Sequence, residues 1–299
     1  SGGKDSTWQV YAMKKIHKMK PLAVTFDQFD QTNTGLHNLK VMKKIGVDHV
    51  HFTLNPNVVR KLVKKGLEIV GDPYWVNHVG MFTIPFHFAV NFKIPLVVYG
   101  ENPQLEYGGP EASRDNRIMD YRWRQEFGGM RGFREEDMID DEITAQDLKI
   151  LYYPNSEDLS KLKIKGIFYG QYFKWNAKKH LIICKELGWK SQRKSPKGSW
   201  LNYENCDMKY IDIREYIKYL KYGYGRATDQ LNIGIRNGEI TREKAMSIAK
   251  QKDGEYCENN LSEFCNYLEL TKKEFHQIVE KFVNHEIFYK KYSRWVLKC

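Results

Sequence analysis

The chain has 299 residues, enough for one large or two ordinary domains with a real core, and 41% hydrophobic with 28% charged residues reads as soluble and globular. Its longest apolar stretch, near MFTIPFHFAVNF, is broken by Pro85 and His87. That is far short of the ~20 apolar residues of a spanning helix, which excludes a helical membrane protein. The net charge of +11 suits anionic partners, either nucleotides or nucleic acid, although lysine pairs such as Lys14–Lys15 and Lys43–Lys44 also read as solvated helix faces. The five cysteines (Cys184, Cys206, Cys257, Cys265, Cys299) are odd in number and show no C-x-x-C spacing, so reduced thiols in a cytoplasmic protein are expected. A zinc site is not.

The sequence opens on SGGKDS and runs straight into TWQVYAMKKI, where Val10, Met13 and Ile16 with Trp8 and Ala12 form an apolar helical stripe. A glycine turn ahead of a helix is an anion site, because the first helical N–H groups point outward and glycine lets them approach closely. PLAVTFD (21–27) reads as a buried strand, GLHNLKVMKKIG as a helix and VDHVHFT (47–53) as an alternating strand. NPNVVRKLVKKGLEIVG is a third helix, 75–92 a helix kinked at Pro85, and IPLVVYG (94–100) a third strand. This alternation predicts an α/β fold, a parallel sheet with helices on both sides. Ligands then bind at the C-terminal strand ends, where the 1–6 turn, Thr25, Asp27, Thr53 and Gly100 fall.

From about residue 111 the pattern becomes helix-rich, with KIKGIFYGQYF (163–173) as one further strand. In TKKEFHQIVEKFV, Phe275, Ile278, Val279, Phe282 and Val283 make an apolar stripe behind a Thr271–Glu274 capping box. The chain therefore divides into an α/β region at 1–110 and a mostly helical region at 111–299 that completes the sheet. Tyr216, Tyr219, Tyr222 and Tyr224 interleave with lysines; this pattern serves single-stranded RNA or, more often, a half-buried helix whose lysine stems cover the core.

SGGKDS lacks the G-x-x-x-x-G-K-[ST] spacing of a Walker A loop and instead resembles the PP-loop, S-G-G-x-D-S, of the ATP pyrophosphatase superfamily, with its adenine nucleotide alpha hydrolase-like (HUP-like) fold. In physical terms Gly2 and Gly3 let backbone N–H groups reach a pyrophosphate, and Ser1 and Ser6 add hydroxyls. Lys4 supplies charge, and Asp5 stands where a Mg²⁺ ligand is useful. The stretches TFD, NTGLHNL, GVDHVHFTLNP, GENPQLEYGG, LNYENCD and KYLKYGYGRATDQLNIGIRNGEITREKA together resemble the N-acetyl sugar amidotransferase family of bacterial surface-polysaccharide and LPS O-antigen biosynthesis. The resemblance implies that ATP activates the acetamido oxygen of a nucleotide-linked N-acetyl sugar. Ammonia then displaces AMP, leaving an acetamidino group. It also implies a separate glutaminase and an ammonia-channel subunit, both similar to histidine-biosynthesis proteins, and neither a membrane nor a nucleic acid as partner.

Within that reading Asp5, Glu106 and Arg226 are the candidate catalytic residues. Ser1, Gly2, Gly3, Lys4, Asp5, Ser6, Thr25, Asp27 and Gly100 bind the nucleotide, with Asp5 as metal ligand. Asn102, Gln104, Tyr203, Glu204, Asn205 and Arg236 are the candidate substrate residues, and Glu101 or Glu106 binds metal or orients ammonia. Arg226 and Arg236 suit a diphosphate or carboxylate, since a guanidinium binds these with two bonds; an ion pair with a nearby acid is the plainer alternative. Cys184, inside the apolar LIICKEL, reads as a packed thiol, consistent with ammonia from outside.

Two departures from the family pattern stand out. No strand precedes SGGKDS, so a truncated and non-catalytic copy is one rival expectation, with unpaired backbone beside the loop. Relatives carry cysteines near GDPYWVNHVG where this chain has Tyr74 and Asn77, which leaves His78 as a hydrogen-bonded histidine rather than a zinc ligand. A tRNA-modifying PP-loop enzyme is the other rival, on the basic charge.

Overall fold

The computed structural model of the protein describes residues 1–100, 118–292 and 294–298. Helix α1 (Lys4–Tyr11) leaves the glycine turn directly and is followed by β1 (Leu22–Phe26), α2 (Asn33–Lys43), β2 (Asp48–Phe52), α3 (Pro56–Lys65), α4 (Trp75–Asn91) and β3 (Leu96–Tyr99). Local chemistry sets several of these starts. The Thr32 hydroxyl accepts from Gly35 N at 2.9 Å and caps α2. Asn55 caps α3, with Pro56 in the first turn where its missing N–H is not needed. Helix α4 runs through Pro85 without ending.

The second half supplies β4 (Ile118–Met119), α5 (Tyr121–Phe127), α6 (Ala145–Leu148), α7 (Ser156–Lys161), β5 (Lys165–Phe168) and α8 (Ala177–Glu186). Helices α9 (Ile211–Tyr222), α10 (Arg226–Arg236), α11 (Arg242–Lys252), α12 (Glu258–Leu268) and α13 (Lys272–Glu280) follow, then the hairpin β6 (Phe288–Lys291) and β7 (Arg294–Leu297). The capping box of α13 forms as its sequence requires. Thr271 N donates to Glu274 Oε2 at 2.7 Å and Glu274 N to Thr271 Oγ1 at 3.2 Å.

Instead of the single parallel sheet expected, two pieces form. β1 and β2 pair in parallel from Leu22↔Asp48 to Phe26↔Phe52. β3 pairs in parallel with β5, and β4 adds antiparallel to β5. Among the described residues β1 and β3 each have one strand partner, and both strands line one cavity of about 820 Å³. Among the described residues no hydrogen-bond ladder joins the two pieces. β4 and the β6–β7 hairpin were not legible in the sequence; β4 is two residues long, and β6 reads FYKK, without an apolar alternation.

One apolar core spans both halves. Leu62, Trp75 and Val79 of α3 and α4 pack in the same cluster as Ile213, Ile217, Phe264 and Phe275 of α9, α12 and α13. The tyrosines of α9 are part of this packing: Tyr216 lies against Tyr256, and Tyr219 meets Phe288 edge-on at 5.0 Å. Lys221 sets its ammonium over the Phe282 ring, 5.1 Å from the centroid, and donates to Val70 O at 2.8 Å. The lysine–tyrosine interleaving thus builds a half-buried helix. Among the described residues no helix is long and apolar enough to cross a membrane.

Candidate functional site

Gly3 precedes α1 with extended backbone (φ −71°, ψ 155°), and no side chain caps the helix. The helix N-terminus therefore presents its N–H groups and partial positive charge toward the cavity. Ser1 Oγ lies 3.1 Å from Ser6 Oγ and accepts from Gly3 N at 3.2 Å, which closes the turn on itself. The rest of the chain grips the turn from behind. Trp189 Nε1 donates to Gly2 O at 3.0 Å, and Trp8 stacks on His180 of α8 with centroids 4.2 Å apart. Gly2 sits so close to Gly35 that an added Cβ would lie 2.1 Å from Gly35 O. Gly2 is thus a packing glycine, while Gly3 faces the Asp207 carboxylate and the cavity.

The opposite wall comes from the C-terminal half. Arg226 Nη2, at the start of α10, donates to Glu204 Oε2 at 2.7 Å, and Gln230 Nε2 donates to the same oxygen at 3.0 Å. Gln230 Oε1 in turn accepts from Trp200 N and Leu201 N at 2.8 and 3.0 Å, fixing the approach to the 203–208 segment. Burial raises the Glu204 pKa, but the Arg226 and Lys4 charges outweigh it and hold the carboxyl below its ordinary value. Lys4 is almost fully buried and pairs with Asp5, so its charge is directed inward.

Ser1, Gly3, Lys4, Asp5, Ser6 and Gly100 line this one cavity with Thr25, Tyr203, Glu204, Asn205 and Arg226. Thr25 also holds His49 Nε2 at 2.9 Å. Asp27 is absent from the lining; it accepts from Thr53 Oγ1 at 3.1 Å and lies 3.1 Å from His51 Nε2, turned toward β2. Gln28 reaches the cavity in its place. Arg236 lies at the exposed end of α10, about 15 Å along the helix from Arg226 at 1.5 Å per residue. Glu101, Asn102, Gln104 and Glu106 lie outside the described residues. Cys184 is buried with Sγ 3.5 Å from Lys4 O, and burial pushes its thiol up to about 12, so it packs the loop and carries no thiolate at neutral pH.

Sequence reasoning missed a charged cluster through which Arg131 and Arg214 join the lining. Asp72 is buried and receives Arg214 Nε at 3.0 Å, Arg131 Nε at 3.2 Å and Tyr74 N at 3.0 Å. Burial would raise its carboxyl, but the Arg214 and Arg131 charges outweigh it and hold it well below the usual carboxylate range. The three residues are far apart in sequence, and GDPYW carries no spacing signal for two distant arginines. Nearby, Asp30 Oδ2 accepts from Tyr74 Oη and from Tyr210 N. Here burial dominates and lifts the carboxyl to about 6.

The folded state holds the Asp30 proton more tightly than the unfolded chain, so the penalty of ionising Asp30 grows as pH rises from about 4 to about 6. Asp30→Asn should therefore gain stability relative to the parent by about 2–3 kcal/mol on going from pH 4 to pH 7, at 1.36 kcal/mol per pKa unit. Denaturant melts of both proteins at the two pH values check this; a parent–variant difference that is flat with pH would overturn it.

Among the described residues no three His, Cys, Asp or Glu side chains converge as a metal cage. Fold and site together define an α/β protein whose main cavity is walled by an uncapped helix N-terminus on one side and by a charged, helix-rich C-terminal region on the other. That C-terminal region has a recognisable relative: residues 197–298, about a third of the chain, match the family described as LPS biosynthesis protein WbpG-like, C-terminal domain. A search of curated proteins gives no match.

Proposed function

We propose that the chain is an ATP-dependent amidotransferase of surface-polysaccharide synthesis, converting the acetamido group of a nucleotide-linked N-acetyl sugar to acetamidino. The observation that carries this reading is that the glycine turn and the LPS-biosynthesis-like segment wall the same cavity. Its volume of about 820 Å³ lies in the range of sites that enclose small ligands.

In the reaction the amide oxygen attacks the α-phosphorus of ATP and pyrophosphate leaves. Ammonia then adds to the former amide carbon, AMP departs with the oxygen, and a proton is lost to leave C=NH. The residues support this in distinct ways. The Gly3 turn and the uncapped α1 suit the phosphates of ATP, and the inward charge of Lys4 offsets theirs. Asp5 offers one carboxylate, which fits Mg²⁺, an ion usually held by one or two carboxylates, water and substrate phosphates. Arg226, fixed by Glu204, presents a guanidinium from the facing wall to the group being transferred. The chemistry requires that the activated amide be kept from water, since hydrolysis would waste it. Glu106 is proposed to orient ammonia, which a separate glutaminase and channel subunit would deliver in the cytoplasm.

The test is to incubate the protein with Mg-ATP, ammonium and a panel of UDP-N-acetyl sugars, uronic acids included, and to read AMP, pyrophosphate and sugar mass together. Sugar-dependent AMP release with O replaced by NH is expected. Absence of AMP with every sugar would overturn the reading.

A further inference from the structure

Three polar side chains in the cavity have atoms left unpaired. Asn77 is only 5% exposed, yet among the described residues neither its Nδ2 nor its Oδ1 has a hydrogen-bond partner. The same holds for His78 Nδ1 and Gln28 Oε1. All three residues line the cavity. The chain brings them together because the exit of β1 runs alongside the start of α4: the Phe26 ring lies where a Cβ on Gly80 would be, at 2.5 Å, and Asp30 accepts from Tyr74. Gln28 lies between these two contacts, as Asn77 and His78 do on α4. Around Asn77 the helix is apolar, with Trp75, Val76 and Val79 fully buried. A buried amide with nothing to bond costs stability, so a folding role does not explain it.

We propose that Asn77, with His78 and Gln28, forms an uncharged hydrogen-bonding subsite for the sugar ring of the acceptor. The inference rests on the amidotransferase reading and adds to it the residues that hold the sugar. The ligand chemistry follows from the groups present. Two carboxamides and an imidazole offer donors and acceptors at separate points and no net charge, which matches hydroxyl and acetamido groups. Burial and the Arg214 charge hold the His78 pKa down at about 4, so the ring is neutral at pH 7. The neighbouring guanidiniums of Arg131 and Arg214 are already bound to Asp72. A phosphate placed against Asn77 Oδ1 and Gln28 Oε1 would meet acceptors.

Asn77→Leu separates a binding role from a structural one. The substitution removes the unpaired amide and keeps the volume, so the melting temperature should stay or rise by about 2–4 °C. Binding is read by calorimetry without ammonium, using UDP-N-acetylglucosamine, its galacto epimer and their uronic acid forms, with UDP and ATP as comparators. The Kd of the bound UDP-N-acetyl sugar should rise at least 10-fold in the variant, while those of UDP and ATP stay within 2-fold. Gln28→Met should weaken the same sugar in the same direction.

An unchanged sugar Kd in Asn77→Leu overturns the subsite, as does a loss shared by UDP or ATP, or a wild-type protein that binds none of the sugars better than UDP. Sugar binding lost in the variant, in a wild-type protein that never releases AMP, would sink amidination and keep the subsite. Amidination by both proteins with equal sugar affinity would sink the subsite and keep amidination.

Discussion

Gly2→Ala should cost about 3 kcal/mol or more of stability and lower sugar-dependent AMP release at least 100-fold. The added Cβ would lie 2.1 Å from Gly35 O and 2.7 Å from Gly35 C and Cα, all of them backbone atoms that cannot rotate away. Ordinary contact begins near 3.4 Å, so turn and α2 must part by more than an ångström. That shift acts on the N-terminal end of α1, where Gly3 and Lys4 are set against the cavity. Gly35→Ala is the companion test from the other side, since its Cβ would come within 2.6 Å of Asp207 Cα and push the 203–208 segment away from the turn. Melts and AMP assays on both variants decide the matter. AMP release within 3-fold of the parent at saturating ATP would mean that this backbone contact does not position the turn.

Asp72→Ala is expected to destabilise the protein by about 3–5 kcal/mol, because it strands two guanidiniums in a partly buried place. Arg214 and Arg131 come from segments far apart in the chain, and Asp72 ties both to the loop ahead of α4. The loss should depend on pH in a definite direction. The folded-state pKa of Asp72 is depressed, so its contribution is fully present above about 4, the unfolded value, and fades as pH falls through the folded value below that. Parent and variant should therefore differ most near neutrality and converge in strong acid. Chemical denaturation at pH 7 is the direct check, and a loss under 1 kcal/mol would show that the arginines find other partners.

How much of this was legible in the sequence depends on range. The order of strand and helix over residues 21–100 followed from apolar periodicity, and the start of α13 from its capping box. The glycine turn was read from six adjacent residues, and Gly3, Lys4 and Ser6 do line the cavity. Asp27 shows where that reasoning stops. One residue decides which side of a strand end a group faces, and Gln28, not Asp27, faces the cavity. Gly2, read as a phosphate glycine, is also held against Gly35, a contact that depends on where α2 packs.

By itself, then, the sequence determined those features whose cause lies within a few residues: periodicity, the capping box of α13, the glycine turn before α1 and the absence of a long apolar span. Only the tertiary structure decided that Arg226 is fixed by Glu204, that Asp72 gathers Arg131 and Arg214, and that Asn77, His78 and Gln28 share one cavity with the turn. The physical reason is that ion pairs and buried polar clusters depend on distance through space. No local spacing encodes a partner 59 or 142 residues away.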